Sequence, residues 1–189
     1  MIEGNYINPI FVAGPIDREN FYKQFMARFS ELMQKTKSGD TITVLINSGG
    51  GETHTALAIY DLLKSTDRTC VGVVAGVAQS GASLILQACD KRLITENSHM
   101  MLHRSNVQVS GKIVDAQSNL NTFKSLDDKF YEIYAQKAGE RVEKISEMAS
   151  QDKHFNAVEA LGAGLVDEII KAEVKNKKAL TFINQASNK

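Results

Sequence analysis

Short apolar runs alternate along the chain with apolar stripes at helical spacing. Ile10-Phe11-Val12-Ala13 is closed by Gly14-Pro15, which predicts a buried strand and a turn. Phe21, Phe25, Phe29 and Leu32 then recur every three or four residues, with Lys23 and Glu31 among them, as in an amphipathic helix. The β-branched run Thr41 to Ile46 predicts a second strand, stopped by Asn47-Ser48-Gly49-Gly50-Gly51. Ala56, Ile59, Tyr60 and Leu63 mark a helix, and Thr69 to Val74 a third strand. Ser80 to Ala88 is small and apolar, compatible with a buried helix. Lys91 to Thr95 and His99 to His103 predict two short strands.

From Gly111 the pattern changes. Ile113, Ala116, Leu120, Phe123, Leu126, Phe130 and Ile133 form one stripe, predicting a helix over about 111–137. Such a helix is longer than a small domain covers, which points to a partner surface; periodicity alone is also compatible with a core helix. Val142, Ile145 and Met148 predict another helix, and Leu165 to Ile170 a last strand. Strands alternating with helices make this an α/β domain with a mostly parallel sheet. No linker interrupts it, so residues 1–170 are expected to form a single domain. The lysine- and asparagine-rich stretch 171–189 is expected to be a frayed or mobile tail.

Composition narrows the classes. A chain of 189 residues fits one domain. Lysine plus arginine equals aspartate plus glutamate, 22 of each, so bulk positive charge does not drive nucleic-acid binding. The two cysteines, Cys70 and Cys89, support neither a disulfide scaffold nor a four-cysteine metal site. The N-terminus lacks the pattern of a secretory signal, and no window reaches the ~18 apolar residues of a membrane span. The expected setting is therefore the cytoplasm, with no membrane and no nucleic-acid partner.

Two predicted strand-to-helix turns could carry chemistry. The triple glycine after Ser48 lets backbone N–H groups approach an anion or an oxyanion, or is simply a tight turn. It is not a P-loop, because no Gly-Lys-Ser/Thr follows. In Gly76-Val77-Ala78-Gln79-Ser80-Gly81-Ala82, Ser80 reads either as an N-cap or as a nucleophile beside free N–H groups. A serine nucleophile needs a base, and His54, His99, His103 and His154 are the choices; spacing does not select among them. His99 and His103 have a zinc-like spacing but no third ligand, so no metal and no cofactor are expected.

Five stretches in order resemble the proteolytic subunit of the Clp ATP-dependent protease family. They are Phe11 to Asp17, Ile46 to Gly51 with Ile59-Tyr60-Asp61, Gly76 to Ala82, Met100 to His103, and Asp152 to Ala160 with Gly164 to Asp167. The resemblance implies a crotonase-like α/β fold and a serine endopeptidase. Ser80 falls on the family's nucleophile, His103 on its general base and Asp152 on the acid that orients the base. Gly51 and Gly81 fall on the oxyanion-hole donors. The resemblance also implies peptide or unfolded-protein substrates, and self-assembled rings, heptameric or tetradecameric, joined by interleaved long "handle" helices.

Three departures stand out. Gly49 replaces the usual proline of the glycine turn, and Gly81 the methionine that often follows the nucleophile. Only about ten residues precede Phe11, which counts against docking of an unfoldase ATPase and would suit a short, phage-type relative. Two alternatives are a catalytically silent ring subunit and an acyl-CoA hydratase or isomerase. The latter would use glutamates near the glycine turns, where Glu52 is the one candidate.

Overall fold

The computed structural model describes residues 9–171. The expected tail at 171–189 lies outside the described residues, Lys171 apart. Strand β1 (Ile10–Ala13) leads into helix α1 (Phe21–Lys35), which buries Phe25, Phe29 and Leu32. Then follow β2 (Thr41–Ser48), α2 (Thr53–Ser65), β3 (Thr69–Gln79) and the short helix α3 (Gly81–Gln87). Next come β4 (Lys91–Thr95), β5 (His99–Leu102), the long helix α4 (Ile113–Ala138) and α5 (Val142–Ser150). The described chain closes with β6 (Lys153–Asn156), α6 (Ala157–Gly162) and β7 (Glu168–Ile170).

The sheet runs in the order β1-β2-β3-β4-β7, all neighbours parallel. Parallel strands need both faces covered, and the runs Ile42-Thr43-Val44 and Gly72-Val73-Val74 are buried accordingly. This is the α/β architecture with a mostly parallel sheet expected from the sequence, and it is consistent with the crotonase-like fold.

Strand β3 positions the site. It was expected to stop at Val74 but continues to Gln79. Its first half pairs with β4, and Val77 to Gln79 pair with β5, so one strand carries two neighbours in succession. The continuation passes through Gly76 (φ +118°), where a Cβ would stand 2.4 Å from Asn47 Oδ1. That oxygen accepts the Val77 N–H at 3.1 Å, filling the gap left by the register shift between Ile46 and Ser48. Strand β6, absent from the sequence reading, pairs antiparallel with β5. Of its residues only Phe155 is buried, so it carries almost no apolar pattern.

Helix α4 differs along its length. Tyr131, Ile133, Tyr134 and Ala135 are buried, whereas Ile113 is 88% and Val114 79% exposed. Gly139 ends the helix in the left-handed region at φ +68°.

Candidate functional site

Ser80 stands between the last residue of β3 and the first of α3 at φ +51° and ψ −126°. A non-glycine residue there stores strain on the order of 1–3 kcal/mol, so its surroundings must hold it in place. They do so through both backbone groups. The Ser80 N–H donates to Met101 O at 3.0 Å. The Ser80 carbonyl accepts from Ser83 N at 3.0 Å, Leu84 N at 3.2 Å and Ser83 Oγ at 2.7 Å. Every residue of α3 is buried, which fixes the turn against the core.

The candidate base follows directly after β5. The register Gln79↔Met101 sets the end of β5 alongside the turn. His103, two residues on, reaches Ser80 with Nε2 2.8 Å from Oγ. With the imidazole proton on Nδ1, Nε2 accepts the serine hydroxyl. His54, His99 and His154 are exposed and make no hydrogen bond with Ser80, so His103 is the histidine that the fold brings to Ser80 among the described residues.

The glycine turn lies against the same corner. A Cβ on Gly50 would stand 2.7 Å from Gln79 O and 2.8 Å from Ser80 Cβ, a close approach only glycine permits. Gly51 forms a parallel bridge with Ile16, in which Ile16 N donates to Gly50 O at 2.9 Å and Glu52 N to Ile16 O at 2.8 Å. Those bonds use the neighbours of Gly51, so its own N–H faces the opposite side, toward Gly81. A Cβ on Gly81 would be 3.8 Å from Gly51 N and 2.9 Å from Ala56 Cβ. That second contact leaves no room for a methionine-like side chain and accounts for one departure noted above. As the first residue of α3, Gly81 also has an N–H with no intrahelical acceptor.

Asp152 is placed differently. The β5–β6 ladder pairs His99 with Asn156 and ends at Leu102 with Lys153, so His103 and Asp152 are the residues that next leave the ladder on either strand. Asp152 is exposed, has φ +47°, and donates its N–H to Ala149 O at 3.3 Å. Among the described residues no hydrogen bond joins it to His103. Ser80 and His103 are thus brought into contact, and Asp152 is brought alongside without closing on the ring.

These groups border a cleft of about 300 Å³, whose floor is Gly49 to Gly51, Ser80 and Gly81 and whose walls include Met101, His103 and Phe130. Among the described residues no carboxylate lines it. Glu52 is turned away, accepting from Thr55 Oγ1 at 2.8 Å and lying 3.8 Å from Arg18. The thiols are not rival nucleophiles: burial pushes Cys70 up to about 11 and Cys89 higher still.

Sequence reasoning missed the partners that brace the corner. Ser83 Oγ meets Tyr134 Oη at 2.6 Å, and both residues are buried. Burial raises the pKa of the Tyr134 phenol, so it stays protonated and neutral. The sequence offers only the spacing of Ser83, one helical turn after Ser80; Tyr134 reads as one more core residue.

The family model of the Clp protease matches residues 7–173. Over 167 residues the chain is 30% identical to ATP-dependent Clp protease proteolytic subunit 6, chloroplastic, of Arabidopsis thaliana, covering 87% of this chain and 60% of that protein. It is 32% identical over 131 residues to ATP-dependent Clp protease proteolytic subunit 3 of Rhodococcus jostii (strain RHA1), covering 68% of this chain and 65% of that protein. The chain therefore spans rather less than two thirds of the length of these relatives. With its parallel sheet, its serine corner and a match over most of its length, the chain belongs to the Clp protease family.

Proposed function

We propose that this protein is a serine endopeptidase subunit in which Ser80 is the nucleophile and His103 the general base. The observation that carries the reading is the 2.8 Å contact between His103 Nε2 and a serine held at positive φ over a glycine-lined cleft. His103 takes the Ser80 proton as Oγ attacks the scissile carbonyl, then returns it to the leaving amine. The N–H groups of Gly51 and Gly81 receive the oxyanion; one such donor contributes about 3–4 kcal/mol to the transition state. Asp152 takes the orienting role when its carboxylate turns onto Nδ1; the two residues flank the last pair of the β5–β6 ladder.

The substrates are peptides or unfolded chains, by analogy with the named relatives. The working form is a ring of identical subunits joined through the exposed part of α4, where Ile113, Val114 and Leu120 lack cover from the described residues of their own chain. Residues 1–170 act as one peptidase domain.

A silent ring subunit is the second reading, and the open Asp152–His103 step is the observation in its favour. An acyl-CoA hydratase is disfavoured, because no carboxylate among the described residues lines the cleft, and such chemistry needs one. Hydrolysis of a panel of fluorogenic peptides by fully assembled protein separates these readings. The expected result is turnover that disappears in Ser80→Ala. Turnover surviving in that variant, or absent from an assembled wild type, would contradict the peptidase reading.

A further inference from the structure

Immediately after His103 the chain leaves the sheet. Residues 104–111 belong to no helix or strand and connect β5 to α4. From 104 to 110 their exposure alternates residue by residue, as in a strand, yet no strand among the described residues pairs with them. Among the described residues, one backbone group of this run is hydrogen-bonded, the N–H of Ser105. It donates to both carboxylate oxygens of Asp127, each at 3.2 Å. The Ser105 hydroxyl donates to Asp127 Oδ1 as well, at 2.6 Å. Asp127 lies on α4, one turn before Phe130, which walls the cleft, and two turns before Tyr134, which braces Ser83.

We infer that Asp127 is a positioning residue for the general base: its carboxylate fastens the segment after His103 to α4 and so holds the imidazole within reach of Ser80. An extended run without ladder bonds is locally unstable and drifts unless something ties it down. The tie falls two residues from His103, close enough to limit the drift of its backbone. A misplacement of about 1 Å in a reacting group can cost ~10²-fold in rate. A carboxylate suits the task, because one group accepts both an N–H and an O–H, and charge-assisted bonds are roughly twice as strong as neutral ones. Asp127 touches neither Ser80 nor His103, while Ser105, which it holds, borders the cleft, so its loss should lower kcat far more than it raises KM.

This inference rests on the peptidase reading, and the test keeps the two apart. Asp127→Ala, Asp127→Asn and Ser105→Ala are compared with wild type by peptide turnover, by sedimentation and by hydrogen–deuterium exchange over residues 103–111. The expected result is a loss of kcat of ten-fold or more in Asp127→Ala with KM within two-fold and assembly intact. Exchange of the segment should rise at least ten-fold. Asp127→Asn, which retains an acceptor oxygen, should fall between Asp127→Ala and wild type. Adding Ser105→Ala to Asp127→Ala should cost nothing further. Unchanged kcat in Asp127→Ala, unchanged exchange, or a rate loss that merely follows loss of assembly would overturn the inference. If wild type itself turns over no peptide, the peptidase reading fails, and exchange alone still decides whether Asp127 fastens the segment.

Discussion

Ser80 and Asp152 are the two non-glycine residues with positive φ among those described, yet they sit in opposite surroundings. Ser80 is enclosed: its N–H and carbonyl are both bonded, the helix after it is wholly buried, and its hydroxyl is in contact with His103. Asp152 is exposed, on the turn between α5 and an edge strand that buries one residue. Aspartate tolerates the left-handed region well, whereas serine at φ +51° must be held there. The proposed nucleophile half of the site is therefore built by the fold of one chain. The proposed acid half is only set alongside, just past the last β5–β6 pair.

The largest effect should come from the enclosed half. Ser80→Ala and His103→Ala are each expected to lower kcat by ~10⁶-fold, the scale seen when either member of such a pair is removed. A loss of less than about 10²-fold in stopped assays would break the assignment. Asp152→Asn should cost ~10⁴-fold in kcat with KM little changed, if the acid closes on His103 as in other triads. A loss below ten-fold would mean that the acid half stays open during turnover and that something else orients the ring.

Assembly sharpens the same contrast. Leu120→Asp with Phe123→Asp on the outer part of α4 should shift sedimentation toward single subunits and abolish peptide turnover. The fold should persist, because neither residue is buried in its own chain. A particle of unchanged size would sink the proposed ring contact.

Smaller effects concern bracing. Tyr134→Phe removes a hydrogen bond to Ser83 and should cost about 1 kcal/mol, roughly 2–4 °C in Tm for a chain this size. Turnover should fall with it; a variant as stable and active as wild type would show that Ser83 holds the Ser80 carbonyl unaided. The smallest effect is on pH. Partial burial opposes the Asp167 carboxylate, but hydrogen bonds from Arg92, at 2.5 Å and 2.6 Å, outweigh it and hold the pKa below the usual carboxylate value. A lowered folded pKa contributes stability above the unfolded value of ~3.9, lost as pH falls through the folded one. Asp167→Asn should flatten the fall of Tm below about pH 4, and an unaltered acid limb would exclude that contribution. This limb lies below the range in which a histidine-dependent rate is measured.

Much of the framework is legible in the residue pattern. Phe25, Phe29 and Leu32 mark the buried stripe of α1, and the β-branched run to Ile46 marks β2, because burial there is periodic or continuous. What escapes is whatever pairing decides without apolar pattern. Strand β3 runs on through Gly76 because the Asn47 side chain accepts the Val77 N–H, a contact across 30 positions. Strand β6 is Lys-His-Phe-Asn, with one apolar residue, and exists because β5 offers it an edge. At the site, the sequence shows Ser80 as a residue flanked by small neighbours and leaves nucleophile and cap both open. The selection of His103 over three other histidines needed the β3–β5 register, or the family resemblance, to resolve. Ser83, Tyr134 and Asp127 carried no signal of their own, since each acts through a partner distant in sequence.

The central claim is that Ser80 is an activated nucleophile, and covalent labelling tests it most directly. Fully assembled protein is incubated with a fluorophosphonate serine probe and its intact mass is measured, with Ser80→Ala and His103→Ala alongside. The account predicts one adduct per chain on wild type, none on Ser80→Ala, and labelling slowed by orders of magnitude in His103→Ala. An assembled wild type that gains no adduct, or a Ser80→Ala variant that gains one, would contradict it.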